Sequence, residues 1–488
     1  MSGEGHRAVP APSSGVRRWG LRVLAVAVVV ALLAGLGVGV TLSAPSFARA
    51  VGLPVGLLGG ATADPPDPAT PQLRLAAVGT DAPAPTEAGL ATALDARVAA
   101  LGDVTGAVID PATGTTLWSR RPSEPQVPAS VTKLLTGAAA LLRLDPTMRW
   151  TTTVVAGPTP DSIVLVGGGD PTLSSLPAGR QTVYPDAARL DDLVAAVDAA
   201  RAGQPAVKRV LVDVSRYENG GGAGVAPGWD PTDVASGFVA PIVPVMLDGG
   251  RSDPTVLDIP RTATPASDAA RELGARLAEG GAAPTVAVGT APPGAPVLGQ
   301  VASPPTTELV RTALQNSDNV LAEALGREVA RAVGEPTTFD GAARAVTRVL
   351  DEAGIDTAGV TLADTSGLSV NDRVPATALS GVLAPAAAPA GPDPRTAALR
   401  PLLDGLPVAG GGGTLADRYA PGTPSADGRG WVRAKTGTLT AANALAGVVD
   451  TADGRVLVFS FMSNGVDPGT ARPRLDALAA ALHDCGCR

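Results

Sequence analysis

The sequence predicts an α+β protein in which an antiparallel sheet is flanked by helices and a smaller domain is inserted, and three observations carry that prediction. Toward the C-terminus, residues 430–439, 444–449 and 456–461 are β-rich runs separated by short turns, one of them Asp453-Gly454, the pattern of an antiparallel meander. Helical spacing of apolar residues recurs before this meander and again over residues 473–482, which close the chain. From Trp150 to about Pro265 the texture changes to short β-like runs joined by loops: 151–155, 162–166 and 210–214. Residues 88–149 and 266–488 are therefore expected to form the main domain, with 150–265 inserted into it.

The elements follow in order. Residues 90–101 are helical in pattern, and 106–110 and 115–119 make a hairpin through Pro111-Ala112-Thr113-Gly114. Pro128 precedes apolar residues at Leu134, Leu135, Ala138, Leu141 and Leu142, which marks the start of a helix. Gly167-Gly168-Gly169-Asp170-Pro171 lacks the Gly-Lys-Ser/Thr ending of a phosphate loop and reads as a tight turn after a strand. Residues 266–280, 306–314, 320–325 and 342–354 are helical in pattern; 364–369 is rich in turn residues, and 409–415 is a flexible glycine loop.

The N-terminus carries Arg7, Arg17, Arg18 and Arg22 against the single acid Glu4, followed by residues 23–42 without a charge. Such a run has the length of a membrane-spanning helix, and the basic flank orients it with the N-terminus in the cytoplasm. The expectation is a cytoplasmic tail at 1–22, a signal anchor at 23–43, a Pro/Ala-rich linker at 44–87 and a folded part outside the cell membrane. Ala48-Arg49-Ala50 resembles a signal-peptidase site, so secretion after cleavage is the alternative.

Composition narrows the chemistry. The only histidines, His6 and His483, lie at the chain ends, so a Ser-His-Asp triad and a His-ligated zinc site lack their central residue. The only cysteines, Cys485 and Cys487, are too few for a metal cage; an oxidised pair and two exposed thiols both stay open. A net charge of −8 argues against nucleic acid, and an aromatic fraction of 3% against stacking platforms. A hydrolase built on this chain needs lysine, a carboxylate or tyrosine as its base. Lysine occurs only at Lys133, Lys208 and Lys435, every other cationic side chain apart from histidine being arginine, which does not give up its proton.

Ser130 and Lys133 are three apart, one turn from each other on a helix face, where a desolvated amine can take a serine proton. Alone, Ser-x-x-Lys is common on solvated helices. Ser317 and Asn319 stand where a helix begins and can project into a cleft, plain N-capping by Ser or Asp being the alternative. Lys435-Thr436-Gly437 lies on a strand.

Ser130-x-x-Lys133, Ser317-x-Asn319 and Lys435-Thr436-Gly437, in that order, match the motif set of the serine acyl-transferases that include penicillin-binding proteins and β-lactamases. The chain further resembles the D-alanyl-D-alanine carboxypeptidase/endopeptidase family of class C low-molecular-mass penicillin-binding proteins, the S13 peptidases. The matching segments are Leu165-Val166-Gly167-Gly168-Gly169-Asp170-Pro171-Thr172-Leu173, Ala226-Pro227-Gly228-Trp229, Asp364-Thr365-Ser366-Gly367-Leu368-Ser369 and 413–439, within roughly residues 90–465. Family members often carry a longer insertion; here Ser130 and Ser317 are 317 − 130 = 187 positions apart, so a nested third domain is expected to be absent.

The resemblance implies a β-lactamase/transpeptidase-like domain that trims peptidoglycan stem peptides ending in D-Ala-D-Ala and is acylated by β-lactams. Ser130 is the implied nucleophile, Lys133 its base and Ser317 a proton relay to the leaving amine. Asn319 would hold the substrate amide and orient Lys133. Lys435, Thr436 and Thr438 would receive the substrate carboxylate, and Gly437 would leave the strand bare for the substrate backbone. The backbone N–H groups of Ser130 and Thr438 would form the oxyanion hole. No metal or organic cofactor is implied. A β-lactamase and a non-enzymatic membrane-tethered peptidoglycan sensor are the competing readings.

Overall fold

The computed structural model describes residues 82–218, 225–278 and 281–485. The expected tail, anchor and nearly all of the linker lie outside the described residues, among which no helix is long and apolar enough to cross a membrane.

Helix α1 (Glu87–Val98) opens the fold, its first turn capped by Thr86, whose Oγ1 accepts from the Gly89 N–H at 3.1 Å. The hairpin β1 (Asp103–Asp110) and β2 (Thr115–Arg120) follows, then α2 (Thr132–Arg143). A second sheet begins with β3 (Thr151–Ala156) and β4 (Ser162–Val166), continues through α3 (Leu190–Ala200), β5 (Arg209–Asp213) and α4 (Pro265–Leu277), and ends with β6 (Thr285–Val288) and β7 (Val297–Ala302). The chain then forms α5 (Thr306–Gln315), α6 (Asn319–Val333), α7 (Phe339–Glu352), α8 (Ala376–Ala387) and the short α9 (Pro394–Leu399) and α10 (Pro401–Asp404). It closes with β8 (Val432–Leu439), β9 (Ala442–Asp450), β10 (Val456–Asn464) and α11 (Pro468–Asp484).

The first sheet runs β2-β1-β10-β9-β8, antiparallel throughout. Successive residues on a strand point to opposite faces, and here both faces are covered. Ala444, Ala446 and Val448 join Leu134, Leu135, Leu321 and Leu325 of the helical layer. Leu445 and Val449 pack instead with Leu90 and Leu94 of α1 and Leu475, Leu478 and Leu482 of α11. Two-sided burial explains why Val456-Leu457-Val458-Phe459 is apolar without alternation.

The second sheet runs β6-β5-β4-β3-β7 and is mixed: β4–β5 and β5–β6 are parallel, and β3 pairs antiparallel with β4 and β7. Each parallel step needs a crossover, which α3 and α4 supply. Sheet membership therefore carries the inserted part to residue 302, beyond the expected boundary at 265, because α4, β6 and β7 pair or pack with it. The short β6 is largely exposed, so no apolar alternation marks it. Cys485 is disulfide-bonded, and Cys487 is the only other cysteine in the sequence.

Candidate active site

The chain enters the site through a tight turn. Asn464, the last residue of β10, grips the backbone of Val127: Oδ1 accepts from its N–H at 3.0 Å and Nδ2 donates to its carbonyl at 3.2 Å. Ala129 then adopts φ +50°, a left-handed conformation costing a residue with a Cβ roughly 1–2 kcal/mol. Two glycines make room for that turn. A Cβ on Gly367 would stand 2.0 Å from the Ala129 carbonyl oxygen, and one on Gly437 would stand 2.6 Å from that of Pro128. Gly437 thus admits the serine turn. The predicted helix start is also refined: Ser130 lies in a 3-10 turn (Ala129–Val131), and the α-helix begins at Thr132.

Lys133, 1% exposed, is fully engaged. Its Nζ lies 2.9 Å from Ser130 Oγ, 2.5 Å from Asn319 Oδ1 and 2.7 Å from the Ser366 carbonyl. Burial brings the ammonium down to about 8, against the opposing pull of Asp364, Asp318, Glu323 and Asp372. A neutral Lys133 accepts the Ser130 hydroxyl proton along the 2.9 Å contact; a charged one donates along it.

The second motif sits at the corner between α5 and α6. Asp318, not Ser317, caps α6, its Oδ1 accepting from the Leu321 N–H at 2.9 Å. Ser317 is thereby free to turn away at φ +56°, a strained position for serine that costs roughly 1–3 kcal/mol. Its Oγ lies 2.9 Å from Lys435 Nζ, which also donates to the Thr436 carbonyl at 2.7 Å. Burial first, then repulsion from Lys133 and Arg418, holds Lys435 well below the usual lysine range. Asn319, first residue of α6, donates through Nδ2 to the Phe238 carbonyl at 2.9 Å. Thr436 and Thr414 join through their hydroxyls at 2.8 Å. Thr438 is exposed on β8, an edge strand of its sheet among the described residues.

All three motifs meet at one cleft of about 1200 Å³, lined by Ser130, Ser317, Asn319 and Thr438 together with Trp229 and Phe238 from the inserted part. The floor is ordered by Asp364. One carboxylate oxygen accepts from the Ser366 and Gly367 N–H groups at 3.0 and 2.6 Å, the other from Ser369 N–H at 2.7 Å and Trp229 Nε1 at 2.6 Å. Asp364 and Thr414 fall in segments that the family resemblance singled out, with no role expected of either, whereas Phe238 and Asn464 were not legible as site residues. They act through backbone or second partners, which no spacing signals. Among the described residues, no group of His, Cys, Asp and Glu could hold a metal ion.

A two-faced helix-covered antiparallel sheet with a serine–lysine pair at its edge defines the α+β class of the transpeptidases and β-lactamases. The crystal structure of penicillin binding protein 4 (dacB) from Haemophilus influenzae shares this fold, with a TM-score of 0.60 over 80% of this chain and 97% of that one at 19% identity. The chain belongs to the D-Ala-D-Ala carboxypeptidase 3 (S13) family, whose profile matches residues 88–261 and 259–484. It is 47% identical to carboxypeptidase DacB of Mycolicibacterium smegmatis over 86% of this chain and 90% of that protein. A D-alanyl-D-alanine carboxypeptidase of an Actinomadura species is 30% identical over 78% of this chain and 81% of its own length.

Proposed function

We propose that the chain is a penicillin-sensitive serine D-Ala-D-Ala carboxypeptidase that acts through an acyl-enzyme on Ser130. The observation that carries the reading is the buried Lys133 amine, brought down to about 8 and 2.9 Å from Ser130 Oγ at the cleft. An amine so placed is neutral for an appreciable fraction of molecules near pH 7, and the serine proton can pass to it as Oγ attacks the carbonyl between the D-alanines. The oxyanion is assigned to the N–H groups of Ser130 and Thr438, each such donor contributing about 2.7–4 kcal/mol to barrier lowering. Ser317, next to Lys435, relays the proton to the departing D-alanine, and Asn319 orients Lys133 while receiving the substrate amide. Water then releases the acyl group.

A carboxylate arriving beside Lys435 favours its charged form, offsetting the burial and the repulsion from Lys133 that hold it down; Thr436 and Thr438 add hydroxyl donors. A free substrate C-terminus is selected in this way. β-Lactams, which carry an equivalent carboxylate, acylate Ser130 and leave slowly. The same site on a cross-linked substrate gives endopeptidase action. Residues 23–42, uncharged after a basic flank, are assigned as the anchor that holds the enzyme at the outer face of the cell membrane.

The purified full-length chain, incubated with a stem pentapeptide and with a cross-linked peptide dimer, should release D-alanine from the first, as read by mass spectrometry. Fluorescent penicillin should label it at Ser130, and Ser130→Ala should remove the label. Fast turnover of a chromogenic cephalosporin without D-alanine release would mark a β-lactamase instead.

A further inference from the structure

Asp318 lies between Ser317 and Asn319 and is buried to 3% exposure, and its carboxylate is taken up by Leu321, Arg251 and Tyr184. One carboxylate oxygen caps α6; the other faces the inserted part, where it accepts from Arg251 Nη2 at 2.6 Å and from the Tyr184 hydroxyl at 2.9 Å. Arg261 Nη2 stands 3.6 Å away. Arg251 is a hub: Nη1 donates to the Tyr184 hydroxyl at 2.7 Å and to the Asp248 carbonyl at 3.1 Å, and Nε to the Leu257 carbonyl at 3.0 Å. Its guanidinium also stands over the Tyr184 ring, 5.0 Å from the centroid. Arg261 ties in the Gly237 and Gly249 carbonyls, and the next residue after Gly237, Phe238, accepts the Asn319 amide. Both neighbours of Asp318 therefore depend on the inserted part, one through the corner that the Asp318 cap anchors and the other through Phe238.

We propose that Arg251 and Tyr184 are positioning residues for the acylation of Ser130: through Asp318 they hold Ser317 against Lys435 and Asn319 against Lys133. The inserted part then completes the catalytic corner rather than only walling the cleft. Ser317 is kept at φ +56° by a capped, ion-paired neighbour whose freedom Arg251 and Tyr184 remove. The inference rests on the serine carboxypeptidase reading above.

The charge on Asp318 supplies a readout that packing alone would not move. Lys133 faces Asp364 and Asp372 from the floor loop and Asp318 and Glu323 from α6 and its cap, each of which favours its charged form when ionised. Lys435 faces it from β8. Asp318→Asn removes one of the favouring charges, so the rising limb of the acylation–pH profile should move to lower pH. Arg251→Met leaves Asp318 less neutralised, so the limb should move to higher pH.

The test uses the full-length chain with fluorescent penicillin across pH, D-alanine release from pentapeptide, and thermal unfolding of each variant. Arg251→Met is expected to fold, to acylate at least tenfold more slowly and to shift its limb upward; Arg251→Lys, which keeps the charge, should regain part of the rate. If Arg251→Met does not fold, Tyr184→Phe decides: it keeps the ring and deletes only the bridging hydroxyl, and should acylate several-fold more slowly. A wild type that is labelled while the folded Arg251 or Tyr184 variant keeps its full rate and an unmoved limb overturns the inference alone. A rate loss that merely follows the unfolded fraction overturns it too. A wild type that neither labels nor releases D-alanine overturns the carboxypeptidase reading, and the inference with it.

Discussion

Two buried side chains carry opposite protonation demands at the residue scale. Lys133 is useful when neutral, and burial brings it to about 8, so the acylation rate should rise with pH through about 8; a profile flat from pH 6 to 9 would place the base elsewhere. Lys133→Ala should lower acylation about 10²–10⁴-fold, read with fluorescent penicillin alongside unfolding to confirm the fold. Asp372 is the counterpart, its carboxyl raised to about 9 by burial and then by neighbouring Asp364, while its Oδ1 accepts from the Ala363 N–H at 2.7 Å. A raised acid contributes stability that is complete below the unfolded value near 4 and lost as pH climbs through the folded value. Asp372→Asn keeps the acceptor without the titration. Its stability relative to wild type should therefore increase from pH 5 to pH 9, by up to about 1.4 kcal/mol per pH unit, measured by urea unfolding; a constant difference across that range would show Asp372 already ionised.

At the scale of elements, the serine turn is shaped by its neighbours more than by its own residues. A Cβ at Gly437 would press on the Pro128 carbonyl at 2.6 Å, whereas one at Gly412 would meet nothing within 4 Å. Gly437→Ala should cost about 1–3 kcal/mol and slow acylation at least tenfold, while Gly412→Ala, at an extended φ of −168°, should leave both within error; equal effects in the two variants would remove the steric account. This dependence on close approach also explains what the sequence disclosed. Periodicity revealed α2, α5, α6, α7 and the β8–β10 meander because each buries a regular set of apolar residues. Helix α8 (Ala-Thr-Ala-Leu-Ser-Gly-Val-Leu-Ala-Pro-Ala-Ala) is apolar nearly all round and contains Pro385, so no period marks it. Helix α3 was masked by the β-like runs on either side. Ser130, Lys133, Ser317, Asn319 and Lys435 stood out through residue type and order, but Asp364, Phe238 and Asn464 reach the site through hydrogen bonds that spacing does not encode.

On the scale of the whole molecule, the question is whether the second sheet is an independent body or part of the catalytic machinery. The described residues of both sheets fall within one compact unit, and the bonds between them are few but costly to break. Arg216, just beyond β5, forms a bidentate pair with Glu328 of α6, Nε to Oε1 at 2.8 Å and Nη2 to Oε2 at 2.6 Å. The Glu328 side chain is 0% exposed, and its other cationic partner, Arg331, is 48% exposed at 3.1 Å. Gly169 belongs to the same joint, since a Cβ there would lie 2.6 Å from Glu328 Oε1. Removing one partner of a buried pair leaves an uncompensated charge, which costs about 3–5 kcal/mol, whereas replacing both with apolar residues is often neutral. Arg331 stays on Glu328 in Arg216→Met, so that variant should destabilise the chain by less, about 1–3 kcal/mol, and Arg216→Met combined with Glu328→Leu should recover most of it. Because this joint and the Arg251–Asp318 pair both cross from the inserted part to α6, calorimetry of the wild type should show a single unfolding transition, and Arg216→Met should lower its midpoint without splitting it. Two transitions in the wild type would mean that the inserted part melts by itself, and that α6 keeps the second motif in place without it.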